Sequence, residues 1–413
     1  MPLIAPFTGL RPAPGRAADL LAPPSDVMDA AEARALVAGR PWSFLHLSRP
    51  EVDLPPDRDP YEPSVYAQAA ATLARMQAAG LLVRDLRPCY YGYRLTRGDR
   101  VQTGLVVAAS LAAYRAGRIR RHEVTLAPKE DDRVRQIAAL NAQTGPAFLI
   151  HRRAPAIDDT LAALARGAPV LDTAVADGVR HTLWSVDDPA TIDRLTAGFE
   201  AQTRLYIADG HHRTAAAERI GTARQAANPH HTGAESYHRF LAVSFPAEEL
   251  EVLAVNRLVR DLNGLDAAAF LRQVAERFAV VPSPAPVQPA QPGDFGLYLD
   301  GAWYRLTLDP RRIPAGDPVA RLDVRLLQDQ LLVPILGLGD PRHDPRIDFV
   351  GGIRGLAGLV QPVNSGTMRV AFSLCPTPLA DLFAVADLGE TMPPKCTWFE
   401  TKLADGVVSL VLD

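Results

Sequence analysis

A chain of 413 residues exceeds one ordinary domain, so two or three domains are expected, each with room for a sizeable core. Apolar residues make up 47% of it and charged residues 22%, with a net charge of −3. That balance gives no electrostatic reason to expect nucleic acid or an anionic membrane as partner. No apolar run approaches the ~20 residues of a membrane helix, and "MPLIAPFTGLRPAPG" lacks the pattern of a signal peptide. Cys89, Cys375 and Cys396 form no C-x-x-C pair. A cytoplasmic protein with reduced thiols follows as the expectation.

The first 60 residues are rich in Pro and Gly. They read as extended segments around one short helix, "DVMDAAEARALVAG", capped by Asp26 or Asp29 and ended by Gly39. Residues 61–80 have the spacing of an amphipathic helix stopping at Gly80. "CYYGYRLT" and "QTGLVVAASLAAY" read as strands, the second buried. "DDRVRQIAALNAQTG" then reads as helix beginning near Glu130, "AFLIH" as strand and "PATIDRLTAGFEAQT" as helix. Next, "RLYIADG" is a strand, "HRTAAAERIGTARQAAN" a helix and "YHRFLAVSFP" a strand. This alternation predicts a mixed α/β or α+β domain over 1–250. In the remainder, "LDAAAFLRQVAERF" is a helix and the Pro-rich run 281–294 an exposed loop. "FGLYLDGAWYRLTL" is a hairpin turning at Asp300-Gly301, and "VARLDVRLLQDQLLVPILG" a helix interrupted near Pro334. The division falls near residue 250, leaving 251–413 as a C-terminal α+β domain.

The densest chemistry lies in "LYIADGHHRTAAAERIG" (205–221). An apolar strand end meets strong helix formers across Gly210, which permits a sharp turn. The first amides of the following helix lack internal partners and carry the positive end of its dipole, so the turn can cradle a phosphate. His211, His212 and Arg213 add donors, and Arg can grip phosphate through two N–H groups. Asp209 can hold magnesium or accept a substrate proton. The plain alternative is a turn whose Arg and one His pair with surface carboxylates. Zinc is a third option, since His230, His231 and His238 follow, but the usual ligand spacings are absent.

Three other stretches stand out. "RIRRHEVTLAPKEDDRVRQ" is either a solvated charged loop or a source of Glu123 as base or magnesium ligand, with Lys129 and Arg133 as phosphate donors. "APPSDVMD" makes Asp26 a helix cap or a positioned carboxylate. "GETMPPKCTWFETKLADGVV" offers Lys395, Cys396 and Thr397 after two rigid prolines, or else merely docks its aromatics on the core.

Taken in order, "APPSDV", "RRHEVT" with "DDR", "LYIADGHHRTAAA" and "MPPKCTWFETKL" resemble the signature segments of a bacterial and archaeal family of unknown function, DUF1015, over nearly the whole chain. At a second level, the D-G-H-x-R turn is similar to the phosphate-binding turn of the ParB/sulfiredoxin-like fold, which includes free-serine kinases. That resemblance implies a ParB/sulfiredoxin-like element in the N-terminal domain, with Asp209, Gly210, His211 and Arg213 as phosphate or metal contacts. Ser25, Asn256 and Cys396 depart from the family pattern, which usually has Tyr, His and Ser there. The reading that results is a small-molecule phosphotransferase, a kinase acting on a hydroxyl such as that of free serine. Its catalytic residues are Glu123 and Asp209, its phosphate contacts Gly210, His211, His212, Arg213, Lys395 and Thr397, and its metal ligand Asp209. The implied cofactors are Mg²⁺ and a phosphate donor: ATP, ADP or pyrophosphate. The alternatives are a nucleotide-binding regulatory module without catalysis, and a phosphohydrolase.

Overall fold

The computed structural model describes residues 2–413 and is mixed α+β. It divides into two units. The first comprises Met1–Arg121, Thr125–Leu250 and Thr401–Asp413; the second comprises His122–Val124 and Glu251–Glu400. The last stretch joins the first unit because strand Ser409–Val411 pairs with both Gly9–Pro12 and Ala142–Gln143. Among the described residues, no helix is long and apolar enough to cross a membrane.

The first unit is built on a nine-stranded sheet. Its order runs Ile119–Arg120, Leu205–Asp209, Ala147–His151, Arg239–Pro246, Arg100–Ser110, Tyr90–Arg97, Arg180–Val186, Leu171–Ala174, with Ile4–Ala5 added beside Arg100–Ser110. The central strands are buried over most of their length, from Gly104 to Ser110, Ala147 to His151 and Phe240 to Pro246, as continuous aliphatic runs require. Tyr90, Phe199 and Phe240 are fully enclosed there, each ring stabilising the core by roughly 1.5–3 kcal/mol. Strand Leu205–Asp209 slips register between Ile207 and Asp209 where it pairs with Ala147–His151. A bulge of this kind re-aims the side chain that follows it, and here that side chain is Asp209.

Several expected boundaries move, each for a local reason. The strand over 102–114 stops at Ser110, whose hydroxyl accepts the Ala113 amide and starts the short helix Leu111–Arg115. The helix expected from Glu130 begins at Ala127, because Pro128 fits a first helical turn. Residues 152–188, unassigned from sequence, supply helix Pro155–Leu164 and strands Leu171–Ala174 and Arg180–Val186. The first 60 residues hold two short strands and further short helices, Ala17–Leu20 and Leu45–Ser48, besides the expected helix Ala30–Val37.

The second unit carries a six-stranded antiparallel sheet, ordered Phe278–Ser283, Ala302–Leu308, Asp294–Leu299, Val370–Leu374, Val255–Val259, Ile347–Gly351. The hairpin turns at Asp300-Gly301, both with positive φ, as a two-residue turn between twisted strands requires. The Pro-rich run is not loop throughout. Pro282 and Ser283 pair with Tyr304 and Trp303, which is tolerated because their strand is at the sheet edge. Beyond Leu322 the expected helix is short, Asp323–Leu327, and passes into a π-turn over Gln328–Leu332 before Pro334.

Helix His211–Ala227 follows the bulged strand directly and packs against the Ser236–His238 turn through Gly221. A Cβ at that position would stand 2.4 Å from the Tyr237 carbonyl oxygen and 2.8 Å from Leu111 Cδ1. Gly221→Ala should therefore destabilise the protein by about 1–3 kcal/mol through overpacking, although Ala is the better helix former by ~1 kcal/mol. Urea unfolding monitored by far-UV dichroism measures the sign; a stabilised variant would show that the helix is not packed this closely.

Candidate functional site

Four stretches of the first unit converge: Pro24–Asp26, Ala142–Phe148, Asp209–Arg213 and Lys402–Asp405. They line two clefts that share Arg213 and Asp405. Backbone pairing sets this up. Ala22 and Asp405 exchange amide–carbonyl hydrogen bonds of 3.2 and 3.0 Å, so the segment after Ala22 and the one around Asp405 run side by side. Arg49 clamps the first of them by donating to the Ser25 and Met28 carbonyls at 3.0 and 2.8 Å.

The cap question resolves in favour of Asp29. Its carboxylate accepts the Ala31 and Glu32 amides while Glu32 returns a bond to the Asp29 amide, the reciprocal pattern encoded by D-x-x-E. Asp26 is thereby left as an exposed carboxylate on the cleft wall.

At the turn, Gly210 adopts φ 89° and ψ 26°, a left-handed conformation that suits glycine. A Cβ there would lie 3.0 Å from the Ala147 Cα and 2.8 Å from Arg213 Nε. On the other side, a Cβ at Gly145 would stand 3.2 Å from Arg213 Cδ. The two glycines make a slot in which the Arg213 side chain folds back over the turn. Its Nε is buried and has no hydrogen-bond partner among the described residues. Burial acts against the Arg213 charge, but Asp209, Asp26 and Asp405 together hold its pKa above the ordinary value.

Asp209 is the hub. One carboxylate oxygen accepts the Gly210 amide at 2.7 Å, the other accepts the Lys402 ammonium at 2.7 Å, and Arg213 stands at 3.8 Å. Burial alone would raise the Asp209 carboxyl. The charges of Lys402 and Arg213, with the two hydrogen bonds, instead hold it well below the usual carboxylate range. A carboxylate held this low is a poor proton acceptor, which argues against Asp209 as the base and, with both oxygens engaged, against it as the metal ligand. Among the described residues, no three His, Cys, Asp or Glu side chains are grouped to hold a metal ion, which bears on a zinc site more than on magnesium, for which one or two carboxylates plus phosphate oxygens suffice.

The two histidines do differ. His211 is buried at the head of the helix. His212 accepts the Leu126 amide on Nε2 at 3.0 Å, so its proton sits on Nδ1, and burial followed by the Lys129 charge lowers its pKa. Its Nε2 is thus a brace between two helix starts rather than a phosphate donor.

Glu123, Lys395 and Thr397 belong to the second unit. There Lys395 is exposed with φ 56°, and its carbonyl accepts from the Arg257 guanidinium at 3.0 Å. Thr397 is half-buried. Cys396 is buried and donates to the Pro393 carbonyl. Burial raises its thiol pKa, with Arg257 opposing and Glu123 adding, so it is no ready nucleophile. Asn256 is buried, with its side-chain oxygen accepting the Leu374 amide at 3.1 Å. Sequence reasoning missed Lys402, Asp405 and Gly145. Lys402 was visible inside "TWFETKL", but a lysine among aromatics carries no signal of its partner; Gly145 and Asp405 carried none either.

The Asp209–Lys402 pair has a pH signature. A carboxyl held low in the folded protein contributes stability that is fully present above its unfolded pKa of about 4 and is lost as pH falls toward the folded value. Lys402→Met should cost about 1–3 kcal/mol at neutral pH, less than the ~3–5 kcal/mol of a fully buried pair, since the Asp209 side chain is 30% exposed. In urea titrations the gap between wild type and variant should narrow from about pH 4 downward. A gap constant through that range would mean that Lys402 acts through packing alone.

A family model described as protein of unknown function (DUF1015) matches residues 4–325. Comparison with curated proteins gave no match. Among solved structures, a free serine kinase in complex with AMP is similar at 13% identity and TM-score 0.35, covering 72% of this chain and 88% of that one. A conserved hypothetical protein from Pyrococcus furiosus is similar at 14% identity and TM-score 0.32, covering 68% and 87%. SbnI with a C-terminal truncation, from Staphylococcus aureus, is similar at 8% identity and TM-score 0.38, covering 73% and 85%. Likeness at this level is too remote to carry a ligand or a reaction across.

Proposed function

This chain belongs to the DUF1015 family of proteins of unknown function, and on that premise we propose that it is a small-molecule phosphotransferase whose phosphate donor docks on the turn at 209–213. The observation that carries the reading is Arg213. A guanidinium held in a glycine slot at the N-terminus of a long helix, with a buried Nε that lacks a partner among the described residues, is a half-made anion site. The positive helix end and a charge-assisted hydrogen bond act on the same oxygen atoms. Lys402 supplies a second cation from the C-terminal segment.

Magnesium, where it accompanies the phosphates, does not fit Asp209, because both oxygens of that carboxylate are engaged by the Gly210 amide and Lys402. The ion would neutralise charge on the transferred group. The resemblance of the turn to that of free-serine kinases makes the hydroxyl of free serine the first acceptor to assay.

The protein is to be incubated with serine and ATP, ADP or pyrophosphate, and the products followed by phosphorus NMR. Phosphoserine is the expected product. Free phosphate alone would favour a phosphohydrolase, and tight nucleotide binding without turnover would favour a regulatory module. Arg213→Gln should weaken ATP binding in calorimetry by about 1.5–3 kcal/mol, the loss of a charge-assisted hydrogen bond, or roughly 10- to 150-fold. Unchanged affinity would remove the turn from the site.

A further inference from the structure

Asp209, held as a carboxylate by Lys402 and Arg213, is poorly placed to accept a proton. We propose, resting on the phosphotransferase reading, that Asp405 is the catalytic base, taking the proton from the acceptor hydroxyl in the clefts it shares with Arg213. Three observations support it. Asp405 lines both clefts, as Arg213 does and Asp209 does not. Its side chain is more than nine-tenths buried, and its Oδ2 has no hydrogen-bond partner among the described residues. Whereas Asp209 is ion-paired with Lys402 and Arg213, Asp405 forms no ion pair within 4 Å among the described residues, and Arg213 acts on it only through its charge.

The reaction balances simply. The acceptor oxygen bonds to the terminal phosphorus of a nucleoside polyphosphate or pyrophosphate, and the bridging P–O bond breaks. Its electron pair leaves with the donor, and the hydroxyl proton passes to the Asp405 carboxylate. Arg213 on the phosphate side and Asp405 on the hydroxyl side then flank the reacting atoms, which is the arrangement that positioning catalysis requires.

The surroundings set the proton affinity. Around Asp405 stand Ser25 and Asp26 from one segment, Ser48 from helix Leu45–Ser48, Arg213 from the long helix and Tyr93 from its strand. Lys402 comes from its own segment, and Arg133 lines the same cleft. Burial raises the Asp405 carboxyl, Ser48 and Ser25 oppose it, Asp26 raises it further and Arg213 lowers it. The balance is upward, toward the range in which a carboxylate accepts a proton well. A base must be deprotonated to act, so the rate should fall as pH drops through this raised value.

The test compares wild type, Asp405→Asn and Asp26→Asn for ATP binding by calorimetry and for phosphate transfer to serine across the pH range. Asp405→Asn should bind ATP within about twofold of wild type, yet transfer phosphate 10²- to 10⁴-fold more slowly, the usual range for a lost general base. Its residual rate should lack the acidic limb. In Asp26→Asn that limb should move to lower pH, because a neighbouring negative charge is gone. This readout stands even where the Asp405 variant does not fold. Transfer by Asp405→Asn near the wild-type rate, or a limb that ignores Asp26, overturns the assignment while leaving the phosphotransferase reading intact. ATP binding without transfer to any acceptor by wild type overturns both.

Discussion

The carboxylate of Asp209, shared between the Gly210 amide and the Lys402 ammonium, is the constraint on which the candidate site depends. It ties the end of a sheet strand, the first turn of a long helix and the C-terminal segment to one pair of oxygen atoms. An ammonium that is only 17% exposed needs such a partner, because desolvation of an unpaired charge costs more than a surface pair returns. The bulge before Asp209 turns its carboxylate to the place where Lys402 meets it.

Around that pair the charges are arranged as a box rather than a basic patch. Asp26, Asp209 and Asp405 face Arg213 and Lys402, so fixed carboxylates outnumber fixed cations. Asp209 and Asp405 therefore sit in different electrostatic surroundings. Asp209, flanked by cations, stays ionised and anchors. Asp405, whose burial outweighs the charge of Arg213 beside it, has the higher proton affinity. Two carboxyl groups on one site, pushed apart by their environments, form the usual basis for dividing labour between acid–base groups.

The box is held by backbone devices. Gly145 and Gly210 leave the room that the Arg213 side chain occupies, and His212 braces the helix start against the Leu126 amide. Strand Ser409–Val411 closes a small sheet with Gly9–Pro12 and Ala142–Gln143. That pairing fixes the chain just beyond Lys402 and Asp405, so both side chains reach the site from an anchored segment.

The sequence by itself determined the local elements whose signals are short-range. The Asp300-Gly301 hairpin, the short helix begun by Asp26 or Asp29, helix Pro63–Ala78 and the strand–glycine–helix turn at 205–227 all rest on periodicity or on residues within a few positions of one another. It also marked the segments "APPSDV", "DGHHR" and "TWFETKL", three of the four that build the site. What it could not supply was the pairing across long separations. Lys402 meets Asp209 across 193 residues, and no local rule distinguishes that lysine from Lys395. Gly145 has no motif around it, and its need is felt only where Arg213 packs over it. Pro282 reads as a loop breaker until the sheet edge that tolerates it is known. These were decided by the tertiary structure, because charge pairing, burial and steric room are properties of what chain folding brings together.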